Sequence, residues 1–225
     1  MSLLGYRYQR EIFNRARQAK RGRRKARPVL DRLHTWIHDQ FKVNVVYVSL
    51  EYVEEGPAVG TPRLRVILET DEEVESWKVN PIKIRLGIRR RVLRQLQEFA
   101  KDANVSEDLS RTFLILDSFE DACLSWAHLQ FHDGPSRKLE RKLADLPIWR
   151  IDGFDRETVV FLKSEQDIQN AISDGSAERI KRECFNGIKH YDEFNYLSEE
   201  SFLFKLDSKE NLDKTCRGSL YHYWK

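Results

Sequence analysis

The 225-residue sequence predicts an α+β fold, built as a tandem duplication of an α-β-β-α-β-(α)-β unit with mainly antiparallel sheets and a basic N-terminal helical arm in front. Three observations predict it. Helix-period and strand-like segments run through the same order twice. Residues 66–74 (VILETDEEV) align with 160–168 (VFLKSEQDI), 116–121 (LDSFED) with 206–211 (LDSKEN), and 125–128 (SWAH) with 219–222 (SLYH). Charge is also segregated. Residues 1–27 hold ten basic residues against one acid, Glu11, which leaves 29 basic and 35 acidic residues elsewhere and a net charge of only +3. The organisation follows: a basic arm over 1–27, a first repeat over 28–133 and a second over 134–225, an arrangement compatible with one compact pseudo-twofold domain.

Each element has a local reason. In the arm, Tyr8, Ile12, Phe13, Ala16 and Ala19 form a narrow apolar stripe, so 6–21 reads as a helix whose other faces carry Arg10, Arg15, Arg17, Lys20 and Arg21. Gly22 ends it and leaves Arg23, Arg24, Lys25 and Arg27 in a charged joint. Pro28 suits the first turn of a second helix, where Leu30, Leu33, Ile37 and Phe41 recur at three- and four-residue spacing. Residues 43–53 are β-branched and aromatic, a Gly- and Pro-containing loop follows, and 63–69 return as the second arm of a hairpin. Thr70 to Glu73 has capping-box spacing and opens a helix that Asn80-Pro81 interrupts. Residues 82–103 read as a basic helix, although Ile82, Ile84, Leu86 and Ile88 alternate as in a strand, and 113–116 is a short buried strand. The second half repeats the list: a helix from Pro135 to about Leu143, strands at 148–152 and 158–163, and a capping box at Ser164–Asp167 that opens a helix to Ile172. A helix over 176–190 and strands over 202–206 and 218–224 complete it.

Composition excludes several classes. An apolar content of 40% with 11% aromatics fills a core and rules out wholesale disorder. No run approaches the roughly eighteen apolar residues of a transmembrane span, and the N-terminus has no apolar stretch of a secretory signal. Cys123, Cys184 and Cys216 are odd in number and widely spaced, which favours free thiols in a reducing cytoplasm over disulfides or a zinc site. An Arg-rich start is also the composition of an organelle transit peptide, a minor alternative. There is no phosphate loop and no GxGxxG, and the pattern implies no cofactor, assigns no metal and fixes no oligomeric state.

Candidate chemistry is sparse. Asp117, Glu120, Asp207 and Glu210 of the repeated Leu-Asp-Ser-x-Glu would supply four carboxylates for a divalent cation or for acid–base work, but each motif follows a strand, where Ser118 and Ser208 are better read as helix caps. His34 and His38 share a helix face one turn after Asp31, without the other ligands of a zinc site. His128 and His222 fall at equivalent places, three residues after a serine, and read as ordinary strand residues because no oxyanion loop accompanies them. Tyr196, Phe202, Phe204, Tyr221, Tyr223 and Trp224 are suited to base stacking and equally to packing.

The basic segments are least explained by folding. The arm (Arg10, Arg15, Arg17, Lys20, Arg21, Arg23, Arg24, Lys25, Arg27) and a second run (Lys83, Arg85, Arg89, Arg90, Arg91, Arg94) suit phosphate recognition through planar guanidinium forks. The competing uses are pairing with acids such as Asp71, Glu72, Glu73 and Glu75, or attachment to an anionic membrane. The expected function is therefore non-enzymatic binding of nucleic acid through its phosphate backbone. The alternatives are a protein-interaction module, such as a bacterial immunity or adaptor protein that docks an oppositely charged partner, and a carboxylate-dependent metal hydrolase.

Overall fold

The computed structural model describes residues 3–23, 27–54 and 56–225, with side chains in the first helix from Arg10 on. The chain divides into two compact units, residues 1–122 and 123–225. Among the described residues no helix is long and apolar enough to cross a membrane.

The first unit begins with α1 (Leu3–Lys20) and α2 (Pro28–Phe41). It continues through β1 (Val45–Tyr52), β2 (Pro62–Leu68), α3 (Asp71–Trp77), β3 (Lys78–Asn80), β4 (Lys83–Ile84), α4 (Leu86–Asp102), β5 (Phe113–Ser118) and the start of α5 (Phe119–His132). Gly22, with φ of +73°, sits where the backbone after α1 turns left-handed. Pro28 takes the first turn of α2, and Lys42 closes that helix in the left-handed region by donating its N–H to the His38 carbonyl. The three-stranded sheet has the order β1-β2-β5. β1 and β2 form an antiparallel hairpin, and β5 runs parallel to β2 from Arg63 opposite Phe113 to Leu68 opposite Ser118. A parallel neighbour requires a long crossover, which α3, the β3–β4 hairpin and α4 supply.

Strand alternation sorts the two faces of this sheet. Val48, Leu64, Val66 and Leu114 pack with Leu30, Leu33 and Ile37 of α2 and with Val92, Leu96 and Ala100 of α4. Tyr47, Ser49 and Ile67 point the other way and are buried too. That side receives α1, which packs on β1, buries Ile12, Phe13 and Ala16, and sets Arg15 beside Tyr47.

The second unit holds the rest of α5, then α6 (Pro135–Lys142), β6 (Ile148–Phe154), β7 (Glu157–Leu162), α7 (Glu165–Ser173) and α8 (Ser176–Lys189). β8 (Leu203–Ser208), α9 (Lys209–Cys216) and α10 (Leu220–Tyr223) follow. Its sheet has the order β6-β7-β8. Ile151, Val160 and Leu162 face Leu139, Ile180, Cys184 and Ile188, while Val159 and Phe161 lie beneath Leu212, Tyr223 and Trp224.

The two units agree in detail. In both, the first hairpin shifts register near its start, between Val45 and Tyr47 and between Ile148 and Arg150. The parallel ladders span six pairs each, 63–68 against 113–118 and 157–162 against 203–208, with the aligned residues in matching places. Thr70 and Ser164 both complete capping boxes, with Glu73 and Asp167. The Asp71 N–H donates to Glu120 at 3.1 Å, and the Glu165 N–H to Glu210 at 3.3 Å. Ser118 and Ser208 cap the following helices by accepting from the N–H groups of Asp121 and Asn211 at 3.1 and 2.8 Å.

Three expectations are corrected. The sheets are mixed, because the third strand of each lies parallel to the second. Residues 125–128 and most of 218–224 are helical, not strands. Leu124, Ala127 and Phe131 recur at helical spacing and are buried together, whereas the aromatic content of 221–224 imitates a strand. Finally, 82–103 is not one helix, since Lys83–Ile84 pairs back on Lys78–Asn80 and α4 begins only at Leu86.

Candidate nucleic-acid interface

Among the described residues, the strongest concentration of unpaired charge belongs to the β3–β4 hairpin and α4. No acid lies between Glu75 and Glu98 in the sequence. Val92, Leu96 and Ala100 turn one face of α4 to the core, which leaves Arg89, Arg90, Arg91 and Arg94 exposed, together with Lys83 and Arg85 ahead of the helix. Lys83, Arg85, Arg89, Arg90 and Arg94 form no ion pair among the described residues. Arg91 lays its guanidinium 4.9 Å from the centre of the Phe41 ring, and Arg85 Nε donates to the Lys78 carbonyl at 3.3 Å. The first turn of α4 carries no acid and Arg85 at its N-cap makes no side-chain cap, so these cations stand against the positive end of the helix dipole without internal compensation.

The arm is different. Lys20 pairs with Glu69, Arg27 with Glu107 at 3.3 Å, and Arg15 with Glu11 of its own helix. Arg17 lies 5.6 Å over the Phe13 ring. Arg10, Arg21 and Arg23 are exposed, and Arg24 and Lys25 lie outside the described residues, as do the side chains of Arg7 and Tyr8. Strand alternation places α1 and α4 on opposite faces of the β1-β2-β5 sheet, so the two basic segments are not brought together across it. Among the acids of α3, Asp71, Glu72 and Glu73 occupy its first turn, Glu73 closes its capping box, and Glu75 pairs with Lys78 at 2.9 Å.

Caps and ion pairs account for the repeated carboxylates. Asp117 pairs with Arg65, and Glu120 and Glu210 accept from the backbone at the starts of α3 and α7. Asp207 accepts from Tyr223 Oη at 2.6 Å, Asn211 Nδ2 at 2.8 Å and its neighbour Ser208 N–H at 2.7 Å, with Lys205 Nζ at 3.1 Å. Burial alone would raise the Asp207 pKa, and these hydrogen bonds outweigh it and hold the carboxyl below its usual range. Burial, together with donation to Asp207, pushes the Tyr223 phenol up to about 12. On the sheet face toward α1, Glu51 is raised by burial although Arg65 and Arg63 flank it. No group of three or more His, Cys, Asp or Glu among the described residues is arranged to hold a metal ion.

The histidines also have structural roles. His34 Nε2 donates to the Val45 carbonyl at 2.7 Å and His38 Nδ1 to the Val43 carbonyl at 2.8 Å, tying α2 to the strand it precedes. His128 and His132, one turn apart on α5, lie near the Thr158 hydroxyl at 3.5 and 3.3 Å. Burial lowers both to about 4, and His132 further depresses His128, so the pair is neutral at physiological pH. His222 lies on α10 and has no counterpart to that burial. Of the C-terminal aromatics, Phe202 is buried against Phe185 and Phe204, Tyr223 covers Phe161, Trp224 stacks on Phe154 at 6.0 Å, and Tyr221 is exposed.

Sequence reasoning missed the apolar side chains that stand among the free cations. Val79, Ile82 and Leu86 are 67%, 95% and 52% exposed. The available signal was the alternation of Ile82 and Ile84 beside Asn80-Pro81, which marks a turn between two short strands. No family model matches this sequence, and no curated protein matches it.

Proposed function

We propose that the protein is a cytoplasmic, non-enzymatic nucleic-acid-binding protein that holds the phosphate backbone mainly through Lys83, Arg85, Arg89, Arg90, Arg91 and Arg94. The observation that supports this reading is the absence of ion pairs at all six of these side chains among the described residues, beside an arm whose Lys20 and Arg27 hold acids. Guanidinium groups left free on a helix surface suit bidentate contact with phosphate oxygens. Arg10, Arg21, Arg23, Arg24 and Lys25 of the arm provide a second, weaker contact. We also infer that 28–133 and 134–225 arose by tandem duplication and that 1–27 is an addition; the matching registers, bulges and caps support it.

The test compares two full-length variants on one DNA duplex. Replacing Arg90 and Arg94 by Gln should weaken binding more than replacing Arg10 and Arg21 by Gln. The reverse order would move the interface to the arm. Substitution is preferable to deleting residues 1–27, because α1 buries Ile12, Phe13 and Ala16 on the sheet and its loss would uncover that face.

The protein-interaction reading draws on one observation. The second unit exposes Phe154 and Tyr221 at 62% and 67%, as a docking surface would. A stable stoichiometric complex with a basic protein, abolished by Phe154→Ala and accompanied by no affinity for nucleic acid, would favour it.

A further inference from the structure

The β3–β4 hairpin is an addition that the fold does not require. In the second unit α7 ends at Ser173 and α8 begins at Ser176, and the parallel strand β8 still reaches its place. In the first unit the same junction extends into two short strands with Asn80-Pro81-Ile82 between them. The tip is held stiff. Asn80 Oδ1 accepts from the N–H groups of Ile82 and Lys83 at 3.1 and 2.9 Å, and Pro81 fixes its own φ. Ile82 projects from this tip 95% exposed, the most exposed large apolar side chain described. Lys83 and Arg85 stand beside it, and Arg89 and Arg90 follow in the first two turns of α4.

We propose that this hairpin is a wedge, with Ile82 inserting between adjacent base pairs of a DNA duplex while Lys83, Arg85, Arg89 and Arg90 hold the flanking phosphates. The inference rests on the nucleic-acid reading above and adds duplex DNA as the ligand and unstacking as the mode of binding. Apolar side chains inserted at a base step are a general device of proteins that bend DNA from the minor groove. The chemistry favours it here over a lipid surface. Ile82 at the stiff tip matches one base step, and with Val79 and Leu86 it makes only three exposed apolar side chains, whereas holding a bilayer interface requires a broad apolar face. The surrounding charge is predominantly arginine, whose fork matches the phosphodiester oxygens.

The experiment uses the full chain and a short DNA duplex with a central TA step flanked by 2-aminopurine, whose fluorescence rises on unstacking. Pyrimidine–purine steps open most easily. The wild type should raise the fluorescence and bind this duplex more tightly than one with a stiff A-tract at the centre. Ile82→Ala should abolish the rise and lower affinity about tenfold, with the salt dependence unchanged, since no phosphate contact is removed. The exposed position of Ile82 keeps the variant folded, which circular dichroism checks. If the wild type binds with strong salt dependence but the fluorescence is flat and Ile82→Ala binds equally well, the wedge is wrong and the phosphate reading stands. If the wild type does not bind the duplex at low salt, the phosphate reading fails first. Ile82-dependent binding to phosphatidylserine vesicles, without binding to DNA, overturns both in favour of a lipid surface.

Discussion

At the scale of single residues, the glycine with the least room for a side chain in the second unit is Gly153. A Cβ there would meet His132 Nε2 at 2.2 Å and the Glu157 carbonyl at 2.8 Å, and the carbonyl belongs to the paired strand and cannot step aside. Gly153→Ala should therefore cost about 1–3 kcal/mol, read from the urea midpoint. The histidine pair beside it makes a separate prediction. His128 and His132 titrate near 4 when folded, against an ordinary value of 6.5. Between those values the unfolded chain takes up protons that the folded chain refuses, so stability is complete above pH 6.5 and falls as pH drops toward 4, by about 1.4 kcal/mol per pH unit for each histidine. In urea titrations His132→Gln should shed about half of that slope. Equal slopes in variant and wild type would contradict the assignment. The sequence placed His128 in a strand, and its burial became visible only once α5 carried Ala127, Phe131 and both histidines onto the same core.

Elements with local signals were legible, and those that depend on distant partners were not. Pro28, the Gly-rich turn after β1 and both capping boxes are written in a few adjacent residues, and each lies where its spacing implies. Thr70→Ala and Ser164→Ala should accordingly each cost about 1 kcal/mol by chemical denaturation. A neutral result at either site would mean that the matching geometry does not carry matching energy. Parallel pairing of β5 and β8 left no local trace, because the partner strand lies a whole crossover away. The β3–β4 hairpin was hidden for the opposite reason. With strands of three and two residues, it is too short to establish a period against the helical pattern that begins at Leu86.

For the molecule as a whole, a net charge of +3 conceals three environments: an arm partly neutralised by Glu69 and Glu107, a cation-rich hairpin and N-terminal half of α4 with no acid between Glu75 and Glu98, and a second unit whose repeated carboxylates are taken up by caps and ion pairs. The sequence identified both basic segments, and only the fold separates them, because the face of the sheet on which each helix packs is set by strand alternation. The central claim is that the α4 cations neutralise phosphates. It is tested most directly by the affinity of the full chain for a DNA duplex measured across salt concentration. If about five phosphates are neutralised, log affinity should fall against log salt with a slope near −4 to −5, and replacing Arg90 and Arg94 by Gln should make the slope shallower by about 1.8. A flat dependence, or a slope that the double substitution leaves untouched, would contradict the account.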